Sequence, residues 1–499
     1  MSFNLEKSIE GSIVNFGFLG FSRALAQILG LFVVTLITRK LGPALYGKMN
    51  VVLMITQFLY LVTVCWTALG YTRYSILYST EGKPISEVFW GRSFLVLILI
   101  ILMSLILILG KSQLLNYLEL PSLIVILVFF HFFSRIATDY TNQMAQVSTR
   151  FKEISILQLT EKGLIFILIW LWAQDLITVL WCYIVASLAC RAYFLISATR
   201  SFYCPFRLDF SLSKKLLRFS YPLLLTSFGG FIFAWVDIAI IKHFFPFHEV
   251  GIYSLAYNGF AALEAVFFLM PMVLTPILVS LASKKRDDLT DRFIQRVLPQ
   301  ISHMWTFLFI FLALISLWGI PLAFGPAFSK SAHVFLVLLI CLNFAVLNVL
   351  SIPIFVGYDM VSKMVLINFS ASIVNLLLDL VLVPWIGIMG AAMATTVSYS
   401  CITASYYALI KRRFKFVCAK VLLFIGITCF QIVGLLLSKD WIISIAITFI
   451  AAGVYILVGR SLGVFQHDDK GIYAPLEMPG FLKKTLIRIC DYYGSYSSV

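Results

Sequence analysis

Long, largely apolar runs such as Phe94–Leu109 and Val417–Leu437 decide what this chain can fold into. Runs of this kind need hydrocarbon as their solvent, because a bilayer core takes roughly 20 residues of helix to cross. Within hydrocarbon each backbone N–H and C=O must be satisfied inside the structure, which leaves helices or a closed barrel. Barrel strands alternate apolar and polar residues over about ten positions, and these runs do not alternate. The expected class is therefore an all-α polytopic membrane protein. Composition agrees: 61% of the 499 residues are hydrophobic and 12% charged, against roughly 45–50% and 25% in soluble domains.

Fourteen crossings are predicted, over 14–37, 46–70, 90–110, 121–146, 153–174, 177–197, 219–242, 250–281, 301–321, 332–356, 363–385, 388–410, 417–437 and 440–458. Trp90, Trp181, Trp318, Trp385 and Trp441 fall at span ends, where an aromatic belt would sit. Pro271 and Pro276 inside the eighth span predict a kink. The first run is full length and lacks a small-residue cleavage site, so it reads as a retained span.

The formal net charge is +15. Its basic residues are spread between the spans and not gathered in one domain, which argues against nucleic acid as a partner. Loops on the side of the termini hold 27 of the 38 Lys and Arg, the opposite side 7. The positive-inside rule then puts both termini in the cytoplasm. The nine cysteines show no CxxC spacing, so neither a disulfide framework nor a structural zinc site is expected. The tail is expected to be cytoplasmic, and Phe481–Tyr493 reads either as a surface-lying amphipathic helix or as disordered.

Two segments look alike. ITRKLGPALYGKMNVVLM closes the first span and opens the second; IKHFFPFHEVGIYSLAYN closes the seventh and opens the eighth. Each ends a span on a basic residue, turns through a proline and re-enters at a glycine, Gly47 or Gly251. A copy six helices later predicts two bundles of six in the same orientation, followed by two extra helices. The expected divisions are 1–200, 201–411, 412–458 for the extra pair and 459–499 for the tail.

The stretch FSYPLLLTSFGGFIFAWVDIAIIKHFFPFHEVGIYSLAYN resembles the seventh-helix signature of polysaccharide and O-antigen flippases. NFSASIVNLLLDLVLVPWIGIMGAAMATTVSYS resembles their eleventh-to-twelfth-helix signature, and RKLGPALYG their first outside turn. The resemblance runs from about residue 14 to 410 and points to the polysaccharide transporter group of the multidrug/oligosaccharidyl-lipid/polysaccharide exporter superfamily. It implies two six-helix lobes in a V, alternating access, a basic cavity, and a saccharide on a polyprenyl diphosphate as cargo. It also implies the cytoplasmic membrane of a bacterium or archaeon, with other polysaccharide-assembly proteins as partners.

Ionisable groups inside spans cost roughly 2.5–3.5 kcal/mol each on insertion scales, so each needs a reason. Arg23 shares a face with Gly20, Gln27 and Gly30, a small and polar stripe suited to a cavity. It reads as a ligand for a diphosphate or as half of a structural ion pair. Asn368, Ser372, Asn375 and Asp379 line one face of the eleventh span. Asp237 lies deep in the seventh span and Glu264 in the eighth. Asp237, Glu264 and Asp379 are candidates for coupling to H⁺ or Na⁺, or else they bond neighbouring helices. No other cofactor is expected.

In the fourth span, His131, Arg135, Asp139, Asn142 and Gln146 recur at helical spacing, and Arg135 and Asp139 are placed to pair. That face either receives the cargo or simply emerges into water. Glu161, Lys162 and Arg191 read as long side chains snorkelling to the cytoplasmic surface. The expected cargo ligands are Arg23, Gln27, Arg135, Asn368 and Asn375.

Two other functions compete. A multidrug exporter of the same superfamily would favour an acidic cavity, and Arg23 weighs against it. A polysaccharide polymerase or ligase would place catalytic residues on a sizeable outside loop, and the outside loops here are short. No G-x-x-x-x-G-K-[ST] phosphate loop occurs, so ATP hydrolysis is not expected and the chain reads as no enzyme.

Overall fold

The computed structural model describes residues 5–197, 206–414, 418–438, 440–466 and Arg488. Residues 5–21, 23–24, 272–273 and 418–419 are described by backbone alone. The stretch 481–493, read as an amphipathic or disordered tail, lies outside the described residues apart from Arg488.

The described chain is helical throughout. Its first part comprises α1 (Leu5–Thr63), α2 (Ala68–Thr80), α3 (Ile85–Leu109), α4 (Lys111–Leu118), α5 (Leu123–Val147), α6 (Phe151–Trp172) and α7 (Leu176–Ser197). Next come α8 (Phe210–Ser220) and α9 (Leu223–Phe231), which runs through a π turn at Ile232–Val236 into α10 (Asp237–Phe244). Then follow α11 (Phe247–Phe267), α12 (Leu269–Ser283), α13 (Asp287–Arg292), α14 (Leu298–Phe324) and α15 (Ser329–Gly357). The last are α16 (Val361–Ile386), α17 (Ile388–Ile410), α18 (Cys418–Leu437) and α19 (Trp441–Ser461).

Among the described residues, twelve candidate spans are long and apolar enough to cross a membrane. The first of them, Leu25–Thr80, is long enough for two crossings. It is broken at Gly42, whose φ of 68° and ψ of 176° belong to a region open essentially to glycine alone. With that division, and with α17 added as a helix of 23 residues, every predicted crossing has its helix. The kink expected at Pro271 falls at Phe268, between α11 and α12, because a proline removes the hydrogen bond to the carbonyl four residues earlier.

The chain divides into two compact units: Met1–Leu255 with Ala323–Phe328 and Leu376–Ile388, and Ala256–Leu322 with Ser329–Asn375 and Met389–Val499. In the first, α1 packs along α6, and α5 against both α1 and α7. The outer flank of α3 keeps Ile101, Leu105 and Leu109 more than half exposed, as a lipid-facing surface does. The connection 198–218 is not all loop. Asp209 caps α8 by accepting a bond from the Ser211 N–H at 2.7 Å, and Leu212 and Leu216 bury themselves in a core with Val88 and Phe89. Each such leucine contributes roughly 1.5–3 kcal/mol.

The two look-alike turns meet. A Cβ on Gly47 would stand 2.0 Å from the carbonyl oxygen of Phe247, and one on Gly251 would stand 2.0 Å from that of Pro43. In each copy the residue four before the glycine touches the glycine of the other, a reciprocal contact of two-fold type. Lys48, beside the first glycine, donates to the Glu119 carbonyl at 2.9 Å. Lys242, from the second copy, reaches the Glu119 carboxylate at 3.3 Å.

In the second unit α15 is the centre. It is apolar over most of its surface, and 83% of its most hydropathic stretch is buried; its Asn343 and Asn348 donate to the carbonyls of Leu339 and Tyr399. The last two helices dock on α14 through specific bonds: Gln431 donates to the Ile310 carbonyl at 2.8 Å and Tyr455 to that of His303 at 2.9 Å.

Candidate functional site

Four helices of the first unit, α1, α5, α6 and α7, leave a cavity of about 220 Å³ between them. Its walls include Gln57 from α1, Arg135 from α5, Glu161 and Lys162 from α6, and Tyr183 from α7, with Trp235 of the π turn. The sequence positions these groups through helical spacing: His131, Arg135 and Thr138 are one turn apart on α5 and share a face. Arg135 donates to the Gln57 side-chain oxygen at 3.1 Å, and its guanidinium lies 5.3 Å from the Tyr60 ring.

The expected pairing of Arg135 with Asp139 is overturned. Asp139 faces the other way, taking 2.5 Å from Arg92 and 2.8 Å from the Tyr60 hydroxyl. Arg92, at the start of the predicted crossing 90–110 and counted among the 27 basic residues on the side of the termini, is 1% exposed and also donates to Thr67. The tryptophan at position 90 marks a membrane boundary in sequence, but α3 begins at Ile85 and carries Arg92 two turns inside.

The snorkelling expected of Arg191 is overturned as well. It is 1% exposed and bonded to the Glu161 carboxylate. Lys162 lines the cavity instead of running along a lipid-facing flank. These groups were missed as site residues because their role depends on four helices converging. The i, i+1 charge pair Glu161–Lys162 inside an apolar run was the available signal.

A second cavity of about 300 Å³ lies further along α5. It is lined by Trp66, Thr72, Gln143, Gln146, Thr226 and Ser227 among others, and no charged residue contributes to it. Thr72 donates to the Gln143 side chain at 2.6 Å, which leaves that amide's N–H group pointing its remaining capacity elsewhere.

Asp237 follows the π turn, where one extra residue shifts the helix face; such turns recur at functional sites. It is 2% exposed and accepts a bond from the Tyr253 hydroxyl. Asp379, wholly buried, is hydrogen-bonded to Asp237. A bond between two carboxyl groups needs a shared proton, and two ionised ones that close need a cation between them.

The stripe on α16 faces protein and not lipid, since Ser372, Asn375 and Asp379 have no exposure. Asn368, at the start of the stripe, accepts from the Tyr406 hydroxyl at 3.0 Å. Glu264, in the second unit, accepts from the Tyr399 hydroxyl at 2.7 Å. Gln27 is exposed on α1. The side chain of Arg23 lies outside the described residues.

A family model described as polysaccharide biosynthesis protein matches residues 12–282, more than half of the chain, and the chain belongs to that family. No curated protein matches it by sequence. Among solved structures it resembles the lipid II flippase MurJ in an inward closed conformation, with a TM-score of 0.70 at 13% identity over 89% of this chain and 99% of that one. It also resembles a multidrug resistance MATE family transporter of the MOP superfamily in an inward-facing conformation, at 0.61 and 11% over 83% and 96%. The Vibrio cholerae MATE transporter VcmN in its bent form matches at 0.50 and 14% over 82% and 100%. At these identities the likeness is one of fold. The chain is a multi-pass membrane protein with the fold of these transporters.

Proposed function

We propose that this protein is a transporter, and not a catalyst, that flips a polyprenyl-diphosphate-linked oligosaccharide from the cytoplasmic to the outer leaflet. The cargo would be a repeat unit of O-antigen, capsule or exopolysaccharide. One observation carries the reading: a member of the polysaccharide biosynthesis family is built, over its described residues, almost wholly from helices able to cross a membrane. Polysaccharide assembled outside needs its lipid-linked unit brought across, and that is the step such a chain is equipped for.

In this reading two six-helix lobes, 1–200 and 201–411, alternate access, with 412–458 as an accessory pair and 459–499 as a cytoplasmic tail. The protein sits in the cytoplasmic membrane with both termini inside, as the 27 to 7 split of basic residues supports. Arg23, Gln27, Arg135, Asn368 and Asn375 contact the cargo. Asp237 and Asp379 take up a proton or a sodium ion, and Glu264 is a further coupling group. The exporter reading draws on the fold shared with MATE transporters, but a cavity in which Arg135 and Lys162 face one acid suits an anion better than a cationic drug.

Deleting the gene should remove a surface polysaccharide and leave its lipid-linked unit inside the cell. Arg23→Ala should reproduce that loss at normal protein level. Unchanged surface polysaccharide in the deletion strain would end the proposal.

A further inference from the structure

We infer that the cavity inside the first bundle seats one phosphoryl-sized oxyanion, gripped by Arg135 and Lys162. The inference deepens the flippase reading and rests on it for the identity of the cargo, though not for the binding itself.

Charge is the first argument. Glu161 is the one acid in the cavity lining, and its carboxylate is already bonded to Arg191. Arg135 and Lys162 thus share the cavity without an ion-pair partner among the described residues. Cations held half-buried between helices without a counter-charge are unfavourable, and an entering anion removes the penalty.

The second argument is the set of donors. Gln57 holds Arg135 through one terminal nitrogen, so the rest of the planar fork is available for bidentate contact with an oxyanion. Lys162 adds a compact ammonium from the neighbouring helix. His131, 8% exposed on the same wall, has a ring nitrogen, Nδ1, without a hydrogen-bond partner among the described residues. Two cations of different geometry with a histidine between helices make a phosphate clamp.

Size is the third. A volume of about 220 Å³ has room for a phosphoryl group together with water, a single water needing only about 10–15 Å³ on the same measure.

The anion could be that of a prenyl diphosphate or free inorganic pyrophosphate, and binding to the purified full chain separates them. Calorimetry would be run with inorganic pyrophosphate and, separately, with farnesyl diphosphate, on wild type, Lys162→Met, Arg135→Gln and Lys162→Arg. Pyrophosphate is expected to bind the wild type and to bind both neutralised variants at least tenfold more weakly, with Lys162→Arg close to wild type. Much tighter farnesyl diphosphate binding with the same variant pattern assigns the seat to a lipid-borne phosphate; equal binding assigns it to the free anion. Absence of binding by either probe, or equal binding by all four proteins, overturns the site. Gel-filtration profiles identify a variant that fails to fold, and the other neutralised variant then carries the comparison against wild type and Lys162→Arg. Should binding hold while the gene deletion leaves surface polysaccharide intact, the seat stands and the flippase reading falls.

Discussion

At the scale of single residues, the buried charges sort into those with partners inside the protein and those facing a cavity. Arg92 and Asp139 neutralise each other in a dry setting, with Tyr60 and Thr67 completing the network. Removing one partner strands the other charge, so Arg92→Met should cost about 3–5 kcal/mol. The loss should appear as a lower thermal midpoint in detergent, and Arg92→Met with Asp139→Leu should recover most of it. A double variant as unstable as the single would show that the pair is not the reason. Asp237 and Asp379 differ, because two acids in contact require a proton or cation to coexist. Asp379→Asn should leave protein level and folding near normal while making cargo movement indifferent to the ion gradient. Movement that still tracks the gradient in vesicles would remove the acid pair from the coupling mechanism. The sequence pointed to these two acids because an ionisable group in an apolar run is conspicuous. It could not pair Asp139 correctly, since Arg92 lies 47 positions away and, beside Trp90, sits where a span end was expected.

Among the elements, the crossings were the most legible feature, because lipid demands a continuous apolar stretch for each. The short amphipathic helix α8 was less so. Its leucines are four residues apart on a polar background and gain meaning only from the core of Val88 and Phe89 they fill. Of the cavities only the α5 face was legible, through His131, Arg135 and Gln146; the remaining walls need residues from several helices at once. The second cavity, with amide and hydroxyl groups beside Trp66 and no charge, has the chemistry to meet sugar hydroxyls. Arg135 and Gln143 are eight positions apart on α5, about 12 Å at the helical rise. Gln143→Ala is therefore expected to weaken transport several-fold for a native saccharide while leaving pyrophosphate binding unchanged. A proportionate loss of both would show that the change acts through the bundle and not through the cargo.

For the whole molecule, the charge distribution makes a prediction that no local geometry reaches. A reporter active only outside the cell, fused after residue 499, should stay inactive, while the same reporter in the connection near Lys111 should be active. The reverse pattern would invert the topology and with it the direction of transport. The family match ends at residue 282, yet the likeness of fold extends over 89% of the chain. At 13% identity to that structure, the shared helices rest on packing, which tolerates many apolar substitutions of similar volume.

The pair of glycines at 47 and 251 binds two distant parts of the chain to a common fate. Neither position can acquire even a methyl group without prying its twin away, so Gly47→Ala and Gly251→Ala should each impair transport by tenfold or more, and a cysteine at Lys48 should react faster with a membrane-impermeant thiol reagent. Selection for restored growth should then return second changes in the opposite turn rather than nearby in the same one. A turn that clasps its look-alike inherits the vulnerability of both.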